Sequence, residues 1–180
     1  MPRMLAKQSL GSIDTQVYAK GGATLRDMFG EDVAGDAEEA GGGLKMLRSQ
    51  PWDAVVIQPQ TNEMLERYGG VEQFNDSVMH WIKAIRAVKA VPFLFNHWAV
   101  CPSEDDCNPK TLHKDTTDMD ARWGEIARRT GATVVPVSAA WGLTGYIDNS
   151  NWKSDAPLLY TTDSKHPDCA GTCTLRRRQS

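Results

Sequence analysis

Two residues near the C-terminus have the types and the spacing of an acid–base pair. Asp163 and His166 are three residues apart in the segment LYTTDSKHPDCAGT, which also contains residues that favour turns. A carboxylate this close to an imidazole can fix one ring nitrogen by a hydrogen bond and stabilise the imidazolium that forms when the other nitrogen takes a proton. The pair could therefore act as a general base for a hydroxyl nucleophile. The D-x-x-H spacing alone is weak evidence, because loops often contain these residues for other reasons.

The rest of the sequence predicts a parallel α/β sheet that would position such a pair. Four short runs are typical of strands, at 15–19, 54–58, 91–95 and 133–137. The last three are continuous apolar runs, which are typical of strands buried on both faces. Apolar residues at three- and four-residue steps over 71–88 indicate an amphipathic helix. Between the third and fourth strands, Asp118 is expected to cap a helix that ends at Gly131. Helical crossovers between buried strands imply a parallel sheet.

The segment 30–43 is rich in glycine and acidic residues and ends in three glycines. Its spacing does not match a phosphate-binding loop, so a flexible connector is the favoured interpretation. A short helix is expected from Leu44.

Ligands of open α/β sheets bind beyond the carboxyl ends of the strands. Distinctive residues follow the four predicted strands: Gly21-Gly22, QPQTNE at 58–63, Asn96-His97-Trp98, and Trp141. Trp98 and Trp141 could stack on sugar rings, but tryptophans near strand ends also serve as plain core or rim packing. His97 is equally ambiguous. His80 and His113 have no evident partner in the sequence and are expected at the surface.

The order of these segments resembles the SGNH (GDSL-like) hydrolase family. GGAT follows the first predicted strand, QTNE the second, and D-x-x-H-P precedes AGT near the C-terminus, so that the resemblance runs from about Thr15 to Gly171. The runs GGATL and WD-x-VV-x-Q are similar to one subgroup of the family. The resemblance implies a flavodoxin-like three-layer α/β/α fold with a parallel sheet, and an ester hydrolase that transfers an acyl group to water.

The resemblance also implies roles for individual residues. The backbone N–H of Gly22 and the side-chain amide of Asn62 would form the oxyanion hole. His166 would be the base and Asp163 the carboxylate that orients it. Read singly, Gly22 could be only a turn glycine and Asn62 only a helix or turn cap. A departure lies at Gln60, where many family members have glycine.

The family's nucleophile is the part that the sequence does not match. The family serine lies in a G-[DN]-S motif at the end of the first strand, and this motif does not occur here. The opening residues predict the helix that follows that strand, so Ser9 and Ser12 have no catalytic role in this interpretation. We therefore expect residues 1–180 to form a single, incomplete and marginally stable SGNH hydrolase-like domain, truncated upstream, whose missing first strand leaves a gap inside the sheet.

The composition and charge of the sequence exclude several classes of function. The formal net charge of −3, the 41% hydrophobic content and the lack of a long apolar run predict one domain with no nucleic-acid or membrane partner. Cys101, Cys107 and His113 do not have zinc-ligand spacing, so no metal or cofactor is expected. The expected partner is a small-molecule or carbohydrate ester. No signal peptide is evident, and secretion would require one upstream, so localisation stays open.

Two other functions fit parts of the pattern. The first is an inert SGNH-like domain, or a fragment, that binds a glycan or a protein. The second is a flavodoxin-like nucleotide or flavin binder, which ranks lower because the strand-end loops have no phosphate-binding motif.

Overall fold

The computed structural model describes residues 14–30, 42–100 and 109–142. Within these ranges it contains five α-helices, three β-strands and two short 3₁₀ turns. In chain order they are α1 (Leu25–Phe29), α2 (Gly42–Ser49), β1 (Ala54–Ile57), the 3₁₀ turns Thr61–Met64 and Glu66–Tyr68, α3 (Val71–Ala87), β2 (Val91–Phe95), α4 (Pro109–Thr130), β3 (Thr133–Val135) and α5 (Val137–Gly142).

The three strands form one parallel sheet in the order β1-β2-β3. Val56 pairs with Phe93, and Leu94 pairs with Val134. Parallel neighbours need a crossover between them, and α3 and α4 supply the two crossovers. The predicted α/β class with a parallel sheet is confirmed.

The core lies where α3 and α4 pack together against the sheet. The residues that α3 buries were expected from its periodicity, and they include Phe74, Val78 and Ile85, which are fully buried. The Phe74 ring meets the buried Trp123 ring of α4 edge-on, with the centroids 5.3 Å apart. Burying side chains of this size stabilises the fold by about 1.5–3 kcal/mol each. The contact shows that the two crossover helices lie side by side.

The first predicted strand is not formed. Residues 15–19 adopt neither helix nor strand and are exposed, and Val17 is 76% exposed. A run of β-favouring residues becomes a strand only where a neighbour pairs with its backbone. In the described ranges the backbone of these residues is not part of a β-ladder, so the prediction of a strand at 15–19 is wrong.

Two other boundaries differ from the prediction. Helix α4 begins at Pro109, and Asp118 lies inside it, where its carboxylate pairs with Lys114 one turn earlier. Proline suits a first helical turn because it has no N–H to leave unpaired. The helix ends before Gly131, whose φ of 70° is left-handed, as expected. Strand β3 stops at Val135 because Pro136 has no N–H for the sheet.

The expected short helix near Leu44 is confirmed as α2, and two glycines at its start are closely packed. A Cβ at Gly43 would lie 2.6 Å from the Met28 carbonyl oxygen and 2.8 Å from the Trp81 ring. A Cβ at Gly42 would lie 2.4 Å from the ring of Tyr18. These two glycines therefore bring α2 close to its neighbours, while residues 31–41 lie outside the described ranges.

Within the described part of the chain, none of the helices combines the length and the apolar character required to cross a bilayer.

Candidate functional site

Gly22 lies in a tight turn just before α1. The N–H of Ala23 donates to the Lys20 carbonyl at 3.2 Å, which closes the turn, and Gly22 has a φ of 75°. Residues with a side chain are strained in this left-handed region. A Cβ at Gly22 would meet nothing within 4 Å. The backbone conformation, rather than crowding, therefore requires glycine here. We call residues 20–23 the glycine turn.

Asn62 lies in the 3₁₀ turn that follows β1. Its carbonyl accepts a hydrogen bond from the N–H of Leu65 at 3.3 Å, and its side chain is exposed. The N-cap of this turn is Gln60, and the carboxyl that caps it belongs to Glu63. Asn62 is therefore not the cap of its own turn, and its amide faces the surface. We call residues 60–64 the asparagine turn.

A buried carboxyl connects these two turns. Glu63 is 7% exposed. Its Oε1 and Oε2 accept from the N–H of Leu25 at 3.2 and 3.1 Å, and Oε1 accepts from the N–H of Gln60 at 2.8 Å. Burial raises the pKa of Glu63 to about 6, against the lowering effect of the two N–H groups, and the charge of Asp27 raises it further. The link holds the start of α1, immediately after the glycine turn, against the asparagine turn.

Sequence reasoning missed Glu63. In the sequence, Glu63 only completes the QTNE run. The available signal was its position, because a carboxylate three residues after a turn's first residue can accept that residue's N–H. Its bond to Leu25 joins residues 38 apart in sequence, and no local pattern indicates such a contact.

A second polar cluster lies beyond β2 and β3. The side-chain amide of Asn96 donates to Asp120 at 2.5 Å and to the Ser138 hydroxyl at 2.8 Å. The Ser138 hydroxyl donates in turn to the same Asp120 oxygen at 2.7 Å. Asn96 and Ser138 are buried. The network fixes the exits of two strands to α4, and we call these three residues the asparagine–aspartate–serine network.

His97 and Trp98 follow directly after β2. His97 is buried, and its Nδ1 lies 2.8 Å from the Trp98 carbonyl, to which the ring N–H donates. Burial lowers the pKa of His97, and the carbonyls of Trp98 and Pro59 oppose that shift. Burial therefore favours the neutral form of the imidazole. Trp98 is half-buried against the core, with its ring edge-on to His97. Its predicted role in lining the substrate site stays a prediction.

The structure thus connects the segments that carry Gly22 and Asn62. Ser9, Ser12, Cys101 and Cys107, for which no site role is predicted, lie outside the described ranges. Asp163, His166 and the side chain of Trp141 also lie outside them, so they cannot be placed beside Gly22 and Asn62. Their roles stay predictions. His80 and His113 are exposed, as expected. In the ranges that the structure describes, no three His, Cys, Asp or Glu residues are grouped so as to hold a metal ion.

A solved structure has the same arrangement of helices and strands. It is a protein described as a putative SGNH hydrolase from Slackia heliotrinireducens, and it matches with a TM-score of 0.64 over 86% of this chain and 76% of that chain. The chain has the SGNH hydrolase fold. The two sequences are 21% identical, so the likeness is one of fold. No family model matches the sequence, and the search of curated proteins gives no match.

The carboxyl ends of parallel strands are where ligands bind in open α/β sheets. Asn62 follows β1 at this edge, and Asn96 follows β2. Asn62 has an exposed side chain, whereas Asn96 is buried in its network. Of these two, Asn62 is the one whose amide can reach a ligand.

Proposed function

We propose that this chain is an SGNH-type ester hydrolase domain, with Gly22 and Asn62 as its oxyanion hole and Asp163 and His166 as its acid–base pair. One observation carries the proposal. In a chain with the SGNH hydrolase fold, the buried carboxyl of Glu63 joins the segments that bear Gly22 and Asn62.

The proposed reaction is acyl transfer to water. A serine hydroxyl attacks the ester carbonyl while His166 takes the hydroxyl proton, which it then gives to the departing alcohol. Asp163 accepts a hydrogen bond from the imidazole and stabilises its charged form. The N–H of Gly22 and the amide of Asn62 donate to the oxyanion. A water molecule then attacks the acyl-serine ester, again with His166 as the base, and releases the acid.

The nucleophile is the one part that the 180 residues do not provide in recognisable form. No G-[DN]-S motif occurs among them. We therefore expect this polypeptide alone to have no ester turnover. The proposed substrates are small-molecule esters, with acetylated carbohydrates as a subclass because of the tryptophans that follow the strands.

The test adds the missing part. A β-strand that ends in G-D-S is fused to the N-terminus, and hydrolysis of p-nitrophenyl acetate is compared between the extended and the 180-residue chains. We expect turnover only from the extended chain. His166→Ala should lower its kcat about 10³–10⁴-fold, and Asn62→Ala about 10²–10³-fold.

Matched controls separate these effects from general damage. His113→Ala removes an exposed imidazole on α4 and should leave turnover unchanged. Labelling by a fluorophosphonate, which reacts with activated serines, should require both the added G-D-S and His166. An extended chain whose turnover is indifferent to His166→Ala would refute the assigned base. Turnover by the 180-residue chain would refute the absence of a nucleophile.

A second candidate is a non-catalytic SGNH-like domain that binds a glycan or a protein. The lack of a G-[DN]-S motif is the observation that favours it. Titration of an acetylated chito-oligosaccharide into the 180-residue chain tests the glycan case by calorimetry. Saturable binding that Trp98→Ala or Trp141→Ala removes, together with an inactive extended chain, would favour this candidate over the hydrolase.

A further inference from the structure

Glu63 is placed to control how the two halves of the proposed oxyanion hole lie relative to each other. We propose that Glu63 is a positioning residue that holds the glycine turn against the asparagine turn, and that its charge state sets how firmly they are held. This inference rests on the proposed function for its meaning, because Gly22 and Asn62 are the groups that would be positioned.

The first step concerns the side of the glycine turn. The N–H of Leu25 donates to Glu63, and the carbonyl of Leu25 accepts from the Trp81 indole N–H at 2.9 Å. The side chain of Leu25 is also buried, at 1% exposure. Leu25 is thus fixed through its N–H, its carbonyl and its side chain. Because the glycine turn ends only two residues before Leu25, the bond to Glu63 limits where that turn can lie.

The second step concerns the side of the asparagine turn. Glu63 Oε1 accepts from the N–H of Gln60, and the N–H of Glu63 donates to the Gln60 carbonyl at 3.2 Å. Asn62 lies between these two residues. A Cβ at Gly70 would lie 3.3 Å from the Glu63 Cα, which shows that the start of α3 packs closely on the turn. Glu63 therefore braces the backbone on both sides of Asn62.

The third step explains why a carboxylate suits this place. Two backbone N–H groups point at the Glu63 carboxylate, and both of its oxygens can accept. Glutamine offers one acceptor oxygen, and its NH₂ group would face a donor. Bonds from N–H groups to an ionised carboxylate are also stronger than bonds to a neutral group. Protonation of Glu63 turns one oxygen into a donor, so that the grip on the two turns loosens.

The change in the charge of Glu63 is expected close to neutral pH. Burial raises the pKa of Glu63 to about 6. Among the described residues, the charge of Asp27 on α1 also raises the pKa of Glu63. Charged side chains of α3 and of the asparagine turn are not among the causes of this pKa shift. Between about pH 5 and pH 7 the carboxyl should pass from the protonated, loosely held state to the ionised, firmly held one.

The test follows the amide groups directly and needs no substrate. In an assigned ¹⁵N–¹H spectrum of the 180-residue chain, titrated from pH 4.5 to 8, the N–H signals of Leu25 and Gln60 should move with one midpoint near pH 6. The N–H of Gly22 and the side-chain NH₂ of Asn62 should move with the same midpoint. Glu63→Gln should abolish this common transition, and the same substitution at exposed Glu72, Glu72→Gln, should preserve it.

Each outcome decides the inference. If Leu25 and Gln60 titrate while Gly22 and Asn62 stay still, Glu63 only satisfies two backbone groups, and the positioning role is refuted. A common transition that survives Glu63→Gln belongs to another group and refutes it as well. Should Glu63→Gln fail to fold, the wild-type titration and Glu63→Asp still decide, because the shorter carboxylate should uncouple Gly22 from Asn62. A failed esterase assay would leave these results unchanged.

Discussion

The two polar clusters at the carboxyl edge of the sheet are built on opposite principles. The asparagine–aspartate–serine network uses bonds between side chains of the β2 exit, α4 and α5, all of which are anchored to the sheet. Glu63 instead accepts from backbone groups and reaches a segment outside the sheet. The first cluster makes one part of the edge rigid, whereas the second attaches a turn to that edge through a single titratable group. The difference predicts that the second responds to pH near neutrality.

The largest effect is expected from Asn96→Ala. This substitution removes two donated hydrogen bonds and leaves Asp120 with one donor fewer, so the free energy of unfolding should fall by about 2–3 kcal/mol. Urea denaturation measures it. The same substitution at exposed Asn62 is the control and should cost no more than about 0.5 kcal/mol. A loss at Asn96 as small as that of the control would show that the network is not stabilising.

The next effect is the pH dependence that Glu63 imposes. Its pKa is raised from 4.5 to about 6 on folding, so the folded chain binds the proton more tightly than the unfolded chain. This contribution to the free energy of unfolding is present in full below about pH 4.5 and is lost as the pH rises through about 6. Burial penalises the ionised carboxylate by more than its stronger bonds to the two N–H groups return, so the two turns are held more firmly at high pH while the fold as a whole is less stable. The shift corresponds to about 2 kcal/mol. Denaturation midpoints are measured over pH 4–8. They should fall with rising pH in Glu72→Gln, and this dependence on pH should be absent in Glu63→Gln. An equal slope in both would assign the dependence to other groups.

A smaller effect is expected from Ser138→Ala. The hydroxyl accepts from Asn96 and donates to Asp120, but these two residues also bond to each other. The free energy of unfolding should therefore fall by about 1 kcal/mol. The double variant with Asn96→Ala should lose less than the sum of the single losses, because the two side chains share partners. Strict additivity would mean that the three residues do not act as a network.

The smallest effect is expected from Asp27→Asn. Asp27 accepts from the N–H of Thr24 in the capping box of α1, and its charge raises the pKa of Glu63. The stability at pH 8 should change by about 0.5 kcal/mol, while the Glu63 midpoint should move to lower pH. The amide titration of Leu25 measures that midpoint. A midpoint that stays or rises would show that the field of Asp27 does not reach Glu63.

The sequence predicted best the elements whose apolar residues follow a regular spacing. Apolar spacing predicted α3 because its buried face repeats along the helix. The continuous apolar runs located β1 and β2, but the expected burial on both faces is wrong for β1, where Val56 is 58% exposed. The strand expected at 15–19 failed because β propensity does not specify a pairing neighbour. The predicted start of α4 at Asp118 is wrong. Aspartate is a common cap residue, but residues 109–117 before it are also helical.

The candidate site was predictable only in part. The runs GGAT and QTNE drew attention to the two turns, since glycine and asparagine at strand ends have clear chemical uses. Their connection was not predictable, because it depends on a buried contact between Glu63 and Leu25, far apart in the chain. The asparagine–aspartate–serine network was missed for the same reason. Asn96 and Ser138 are 42 residues apart, and neither belongs to a recognisable motif.

The exposed segment before the glycine turn has a consequence for how this molecule could diversify. Residues 14–20 expose their side chains, and the segment contributes no strand to the sheet. Apart from Tyr18, whose ring lies against Gly42, and Lys20, whose carbonyl closes the glycine turn, new side chains there would displace nothing from the core. Substitutions at the other positions of this stretch should therefore be nearly free of folding cost. Evolution or laboratory selection for new ligand preferences could therefore change this segment while the residues of the core stay the same.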